Sequence, residues 1–193
     1  MASSLLSGAF GIALTLLPTV SAGVSSKTLI ERNSALVSIS TNASLACNAL
    51  TNTTIETENY PAGLIETEYL TAKDHYWSAA NADNTPACVV FPSSVQDVSQ
   101  IVSILLEYPD VNFAVKSGGH NPNVGYSSVD GGVLISMRSN LANTTISDDN
   151  STAYVGPGAR WGEVGSALEP YGVSVVGGRI GMHSMDVLLI RLC

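Results

Sequence analysis

Ser117, Gly118, Gly119 and His120, inside FAVKSGGHNPN (113–123), are the residues of this chain best placed to do chemistry. Two adjacent glycines let the backbone take positive φ values that side chains forbid. A turn of that kind aims consecutive N–H groups at one point and forms a cradle for phosphate oxygens. The histidine that follows is held close to whatever those amides bind, and a neutral imidazole is a competent nucleophile. Lys116, just ahead of the turn, reads as a solvated or supporting cation rather than a catalytic group. The same string also serves as a plain strand-to-loop corner with a structural histidine. A serine hydrolase built on Ser117 or Ser127 with His120 lacks both a G-x-S-x-G elbow and an acid partner. His75 and His183 have no partner at metal-ligand spacing, so no metal site is expected.

Regular structure has to deliver this turn. ACVVF (87–91) is a short apolar run with the character of a buried strand, broken by Pro92. Ser93 or Ser94 can cap the next element. Val95, Val98, Ile101, Val102 and Leu105 then fall at helical spacing to about Glu107. Pro109 stops that helix, and VNFAVK (111–116) is the next strand, with Phe113, Ala114 and Val115 running into the interior. Strand, helix, strand and glycine turn make a βαβ unit, and open α/β sheets bind ligands at the carboxyl edge of their strands.

Beyond the turn, GVLISM (132–137) is a strand, LANTTISDDNST (141–152) a surface loop, and AYVGPG (153–158) a strand ending in a Gly-Pro-Gly turn. ARWGEVGSALEP (159–170) is a short helix with Trp161 in the core, and VSVVGGR (173–179) a buried strand closing on a second Gly-Gly turn. Upstream, residues 23–60 are polar, with a short helix at 44–50 between loops; 64–80 shows no clean period and 81–86 is a loop. The fold class is α/β (α+β).

Residues 1–22 carry no charge, an apolar run from Ala9 to Leu17, and small residues up to Ala22, which reads as a secretory signal. The run falls short of the roughly 20 residues a membrane span needs. Its removal takes away no charge, so the net charge of −8 remains and argues against a nucleic-acid partner. Sequons at Asn42, Asn52, Asn143 and Asn150 agree with a secretory route. In an oxidising compartment Cys47 and Cys88 can pair and tie the N-terminal segment to the first strand, leaving Cys193 over.

Taken in order, PACVVFPSSVQDVSQIV (86–102), FAVKSGGHNP, VDGGVLISM, VGPGARWGEV and VSVVGGRIG resemble the FAD-linked oxidases of the vanillyl-alcohol-oxidase type. The closest likeness is to their secreted, fungal, berberine-bridge-enzyme-like branch, over about Cys47 to Gly181. The resemblance implies a PCMH-type FAD-binding domain of two α/β subdomains with FAD between them. By the same resemblance Ser117, Gly118 and Gly119 contact the FAD pyrophosphate, and His120 attaches covalently to the flavin 8α carbon. Gly156, Pro157, Gly158 and Ala159 lie along the cofactor, and Gly177 and Gly178 begin a further flavin turn. Ile180 stands where some relatives carry a second attaching cysteine, so one bond is expected.

The implied layout is a signal peptide (1–22), an N-terminal extension (23–85), a partial FAD-binding domain (86–181) and a non-matching tail (182–193). The tail reads as the mark of a truncated or mis-spliced frame, with the substrate domain and catalytic base absent and VLLIRL (187–192) exposed. The implied function is a secreted FAD-dependent oxidoreductase, or its N-terminal fragment. It would oxidise an alcohol group of a small-molecule substrate, a sugar or a secondary metabolite, with O₂ as acceptor. The other reading is a secreted, non-catalytic glycoprotein remnant. No membrane contact is expected after signal removal.

Overall fold

The computed structural model describes residues 39–60, 67–178 and 189–191, all within one compact unit, Val37–Cys193. The signal segment, His183, Ile180 and Cys193 lie outside the described residues.

Helix α1 (Thr41–Thr51) starts where the Ser40 hydroxyl accepts from the Ala43 N–H at 3.1 Å, and buries Ala43, Ala46, Cys47 and Leu50 on one stripe. It leads into β1 (Glu56–Asn59), then α2 (Glu68–Asp74), the single-turn α3 (Ala79–Ala82) and β2 (Cys88–Phe91). Helix α4 (Val95–Leu106) is fixed at its start by a capping box. The Ser94 hydroxyl accepts from the Asp97 N–H, and the Asp97 carboxylate accepts from the Ser94 N–H, both at 3.1 Å. Strands β3 (Phe113–Lys116) and β4 (Val133–Ser136) follow.

These strands form a sheet ordered β1-β2-β4-β3, with β2, β4 and β3 parallel and β1 antiparallel on the outside. CVVF and VLIS are buried at every position, as central strands covered on both faces must be. On one face α1 and α4 pack Leu50, Ile101 and Leu105 against Val90, Val133 and Ile135. On the other, Tyr69 and Ala72 of α2 meet Val89, Phe91 and Leu134. Cys47 of α1 is disulfide-bonded to Cys88 of β2, with Cα atoms 5.9 Å apart.

A second, antiparallel sheet contains β5 (Thr144–Ile146), β6 (Thr152–Val155) and β7 (Leu189–Arg191), ordered β5-β6-β7. Helix α5 (Trp161–Leu168), extended by a 3₁₀ turn at Glu169–Tyr171, buries Val164 and Leu168 against Ala153, Val155 and Ala159.

Five local expectations change. ETEN (56–59), read as loop, is a strand because Cys88–Phe91 offers it a free antiparallel edge. Part of the expected loop 141–152 is β5, paired with β6 for the same reason. The expected strand at 173–179 is irregular over its described part, 173–178: Val173 and Val175 touch the α5 cluster while Val176 stays exposed, and no described strand pairs with it. Phe113 and Val115 face outward, because β3 lies at the sheet edge and buries only Ala114 and Lys116. Leu189–Arg191, placed in the non-matching tail, pairs antiparallel with β6.

Candidate cofactor site

Strand β3 carries its alternation one residue past the apolar run, and this puts Lys116 inside at 3 % exposure. The solvated cation expected there is therefore a buried one. Its Nζ donates to the Ala72 carbonyl of α2 and lies 3.7 Å from the centroid of the Tyr76 ring. Burial pushes its pKa down to about 7, the positive charge of Arg160 adds to that fall, and Asp74 opposes it.

The turn after Lys116 needs glycine at one position for two separate reasons. Gly119 has φ +72°, and a Cβ there would stand 2.7 Å from the His75 carbonyl oxygen and 2.8 Å from Lys116 Cε. Gly118 has no positive φ, so one glycine of the pair supplies the left-handed step. The Gly119 carbonyl accepts from the Trp77 N–H at 3.0 Å. Half-buried His120 then lies against the Trp77 indole, ring centroids 5.6 Å apart and planes 28° from parallel. On the far side of His120, the carbonyl of Asn121 accepts from the fully buried Asn81 side chain at 2.9 Å.

The second glycine turn joins the first through a hydrogen bond that the Ser117 hydroxyl donates to the Pro157 carbonyl. Gly156 and Gly158 are glycine because backbone lies where their Cβ atoms would be: the Leu141 oxygen at 2.2 Å and the Met137 oxygen at 2.1 Å. Ala159 is fully buried in the core of the second sheet. Gly177 and Gly178 are not part of this cluster. They lie on the Trp161 indole, which a Cβ on either would strike, so half-buried Trp161 is a platform for this pair as well as a core residue.

A cavity of about 130 Å³ opens at the carboxyl ends of β3 and β4, walled by Lys116, Ser117, Gly118, Arg138, Arg160 and Glu68. Whole small-molecule pockets run to about 300–1,000 Å³, so this one holds a group rather than a complete dinucleotide. Arg138 is partly neutralised, donating from one guanidinium nitrogen to Glu163 Oε2 at 2.9 Å and to the Gly158 carbonyl at 3.1 Å. Burial works to raise the Glu163 carboxyl, but the hydrogen bonds from Arg138 and the Arg160 N–H outweigh it and hold it below the usual range. The Arg160 Nε is buried without a hydrogen-bond partner. Buried donors without partners are costly. An orphaned guanidinium donor beside Lys116 and a polar turn therefore suits an anionic group.

The glycine spacing locates the turn but not the residues that hold it. His75, Tyr76 and Trp77 run directly against it, and the signal was their aromatic character in a stretch without helical or strand period. Arg138 and Arg160 follow a strand and precede a helix, positions from which cations reach a carboxyl-edge pocket. Asn42, Asn52, Asn143 and Asn150 are all exposed. Among the described residues no group of three or more His, Cys, Asp or Glu is placed to hold a metal ion.

A family model described as an FAD binding domain matches residues 86–180. Over 124 residues the chain is 43% identical to an uncharacterized FAD-linked oxidoreductase of Arthroderma benhamiae, covering 64% of this chain and 25% of that protein. It is 42% identical over 127 residues to an FAD-dependent monooxygenase of Arthrobotrys oligospora, covering 66% and 24%. The chain thus spans about a quarter of the length of these curated relatives. Among solved structures it superposes on the BBE-like 1 protein of Physcomitrella patens with a TM-score of 0.60 at 23% identity, covering 72% of this chain and 29% of that one. The glucooligosaccharide oxidase of Acremonium strictum, described with a 6-S-cysteinyl, 8α-N1-histidyl FAD, gives 0.58 at 20% identity, covering 74% and 28%. These two structural likenesses show a shared fold.

Proposed function

We infer the role of this chain from its membership: residues 86–180 belong to the FAD-binding domain of the FAD-linked oxidoreductases, and FAD is the cofactor of that domain. The cavity at the ends of β3 and β4 is proposed to take the pyrophosphate. Ser117 and Gly118 line it, Lys116 and Arg160 supply charge, and Arg138 braces the wall through Glu163. The observation that carries this reading is the buried, unpartnered Nε of Arg160, a residue that lines the cavity beside the glycine turn together with Lys116 and Arg138.

His120 is the proposed attachment residue. Its imidazole nitrogen would bond the flavin 8α carbon with loss of one hydrogen from each atom, and dioxygen would take up the two electrons and two protons. FAD, when bound, supplies the two-electron redox chemistry. The parent activity is proposed to be oxidation of an alcohol carbon of a sugar or secondary metabolite, with dioxygen as acceptor, in a secreted glycoprotein. The signal segment, the four exposed sequons and the Cys47–Cys88 disulfide support the secretory route.

The test is a titration of the purified chain with FAD, followed by quenching of flavin fluorescence. Saturable quenching that weakens at least tenfold in Arg160→Ala is the expected outcome. Absence of quenching at millimolar FAD refutes the cofactor reading for this chain.

A further inference from the structure

We propose that the cavity at the ends of β3 and β4 takes its anionic group together with one proton from solvent, carried by Lys116 Nζ; this rests on the cavity as the pyrophosphate site. Lys116 is buried, and an ammonium has three donors to place. The Ala72 carbonyl accepts from one of them, and the Tyr76 ring covers another side with its centroid 3.7 Å away. A buried charge is well tolerated only when it is paired and hydrogen-bonded. Among the described residues no carboxylate bonds to Lys116, because each nearby acid is engaged elsewhere. Asp74 pairs with Lys73 at 2.8 Å on the exposed side of α2, and Glu68 accepts from the Ser139 hydroxyl at 3.0 Å. Glu163 accepts from Arg138 and from the Arg160 N–H. Tyr76, its hydroxyl pushed up by burial, stays neutral. Arg138 and Arg160 share the cavity wall with Lys116 and keep their charge at any ordinary pH. Burial, aided by Arg160, therefore outweighs the distant charge of Asp74 and holds the Lys116 pKa at about 7.

An anion in the cavity reverses that balance. An opposite charge within about 4–6 Å favours the charged form of a titrating group and moves its pKa by about 1–3. A pyrophosphate diester has no proton of its own to exchange near neutrality, so the proton comes from solvent. At pH 8 the free chain holds roughly 0.1 proton on Lys116 and the complex roughly 0.5–1, a net uptake of roughly 0.4–0.9. The complex then binds more protons than the free chain, and affinity falls as pH rises. From pH 7 to 9 the fall is about fivefold or more. His75, in the same wall, and His120, past the turn, are the other groups able to take up a proton, so the test varies Lys116 alone.

The experiment is calorimetric titration of the chain with FAD under nitrogen, where covalent attachment lacks its electron acceptor and only binding is read. Titrations at pH 8 in HEPES and in Tris, whose ionisation heats differ, give the number of protons taken up. Wild type is expected to take up roughly 0.4–0.9 proton and to lose affinity about fivefold or more from pH 7 to 9. Lys116→Arg carries a permanent charge and Lys116→Met carries none. Both are expected to bind FAD, the Met variant more weakly, with no measurable uptake and an affinity flat to about twofold across that range. Binding without proton uptake in wild type, or uptake that persists in both variants, overturns the proposal and leaves the pyrophosphate site standing. No binding at any pH overturns both. Should Lys116→Arg fail to fold by circular dichroism, Lys116→Met carries the comparison under the same criteria.

Discussion

Gly119→Ala is the sharpest probe of how this turn is built. Two costs act at that position. A side chain at φ +72° enters the left-handed region, at about 1–2 kcal/mol for an L-residue. The new Cβ also lands 2.7 Å from the His75 carbonyl oxygen, a backbone atom with no rotamer in which to retreat. Crowding of this kind adds about 1–3 kcal/mol. The sum, about 2–5 kcal/mol, is a large share of a small domain's roughly 5–15 kcal/mol. Gly125 is the internal control: its φ is +87°, but nothing lies within 4 Å of its Cβ position. Gly125→Ala should therefore show the first cost alone. Urea unfolding followed by tryptophan emission, with a slope of about 2 kcal/mol/M, should lower the Gly119→Ala midpoint by about 1–2.5 M and the Gly125→Ala midpoint by about 0.5–1 M. Coincident midpoints for the two variants would show that the turn gives way at His75, and the clash argument would be wrong.

Lys116 should make stability depend on pH. The unfolded chain holds this proton to about pH 10.4, whereas the folded chain releases it near 7, so between those values the unfolded state binds more protons and stability rises with pH. The gain from pH 7 to 9.5 should be on the order of 3 kcal/mol in wild type and absent in Lys116→Met, measured as urea midpoints at each pH. Above pH 10 the trend should reverse, because burial raises the Tyr69 and Tyr76 hydroxyls and the unfolded chain ionises first. Removing the disulfide with Cys47→Ala and Cys88→Ala together should cost about 4 kcal/mol, from the entropy of a loop spanning 41 residues, read as the loss in unfolding free energy. An unchanged unfolding curve would mean that α1 is held to β2 by packing alone.

The elements with strong internal patterns were legible in the sequence. ACVVF, the helix capped by Ser94 and the strand at 133–136 carry their own signals, in apolar runs and end caps, and the structure places them within a residue or two. What could not be read depends on partners. ETEN is a strand only because β2 has an edge to offer, and Thr144–Ile146 only because β6 does. VSVVGG has strand composition, yet without a pairing neighbour among the described residues composition does not make a strand. At the site, Ser117, Gly118 and His120 were visible because glycine spacing is a local property. Trp77, Asn81, Arg138 and Arg160 were not, since each reaches the turn or its cavity from a distant part of the chain.

Ser117 is stitched to Pro157, so the loop leaving β3 and the loop leaving β6 are fastened to each other. Whatever settles against one loop is thereby felt at the other, alongside the tie that Arg138 makes from the end of β4 to Gly158 and Glu163.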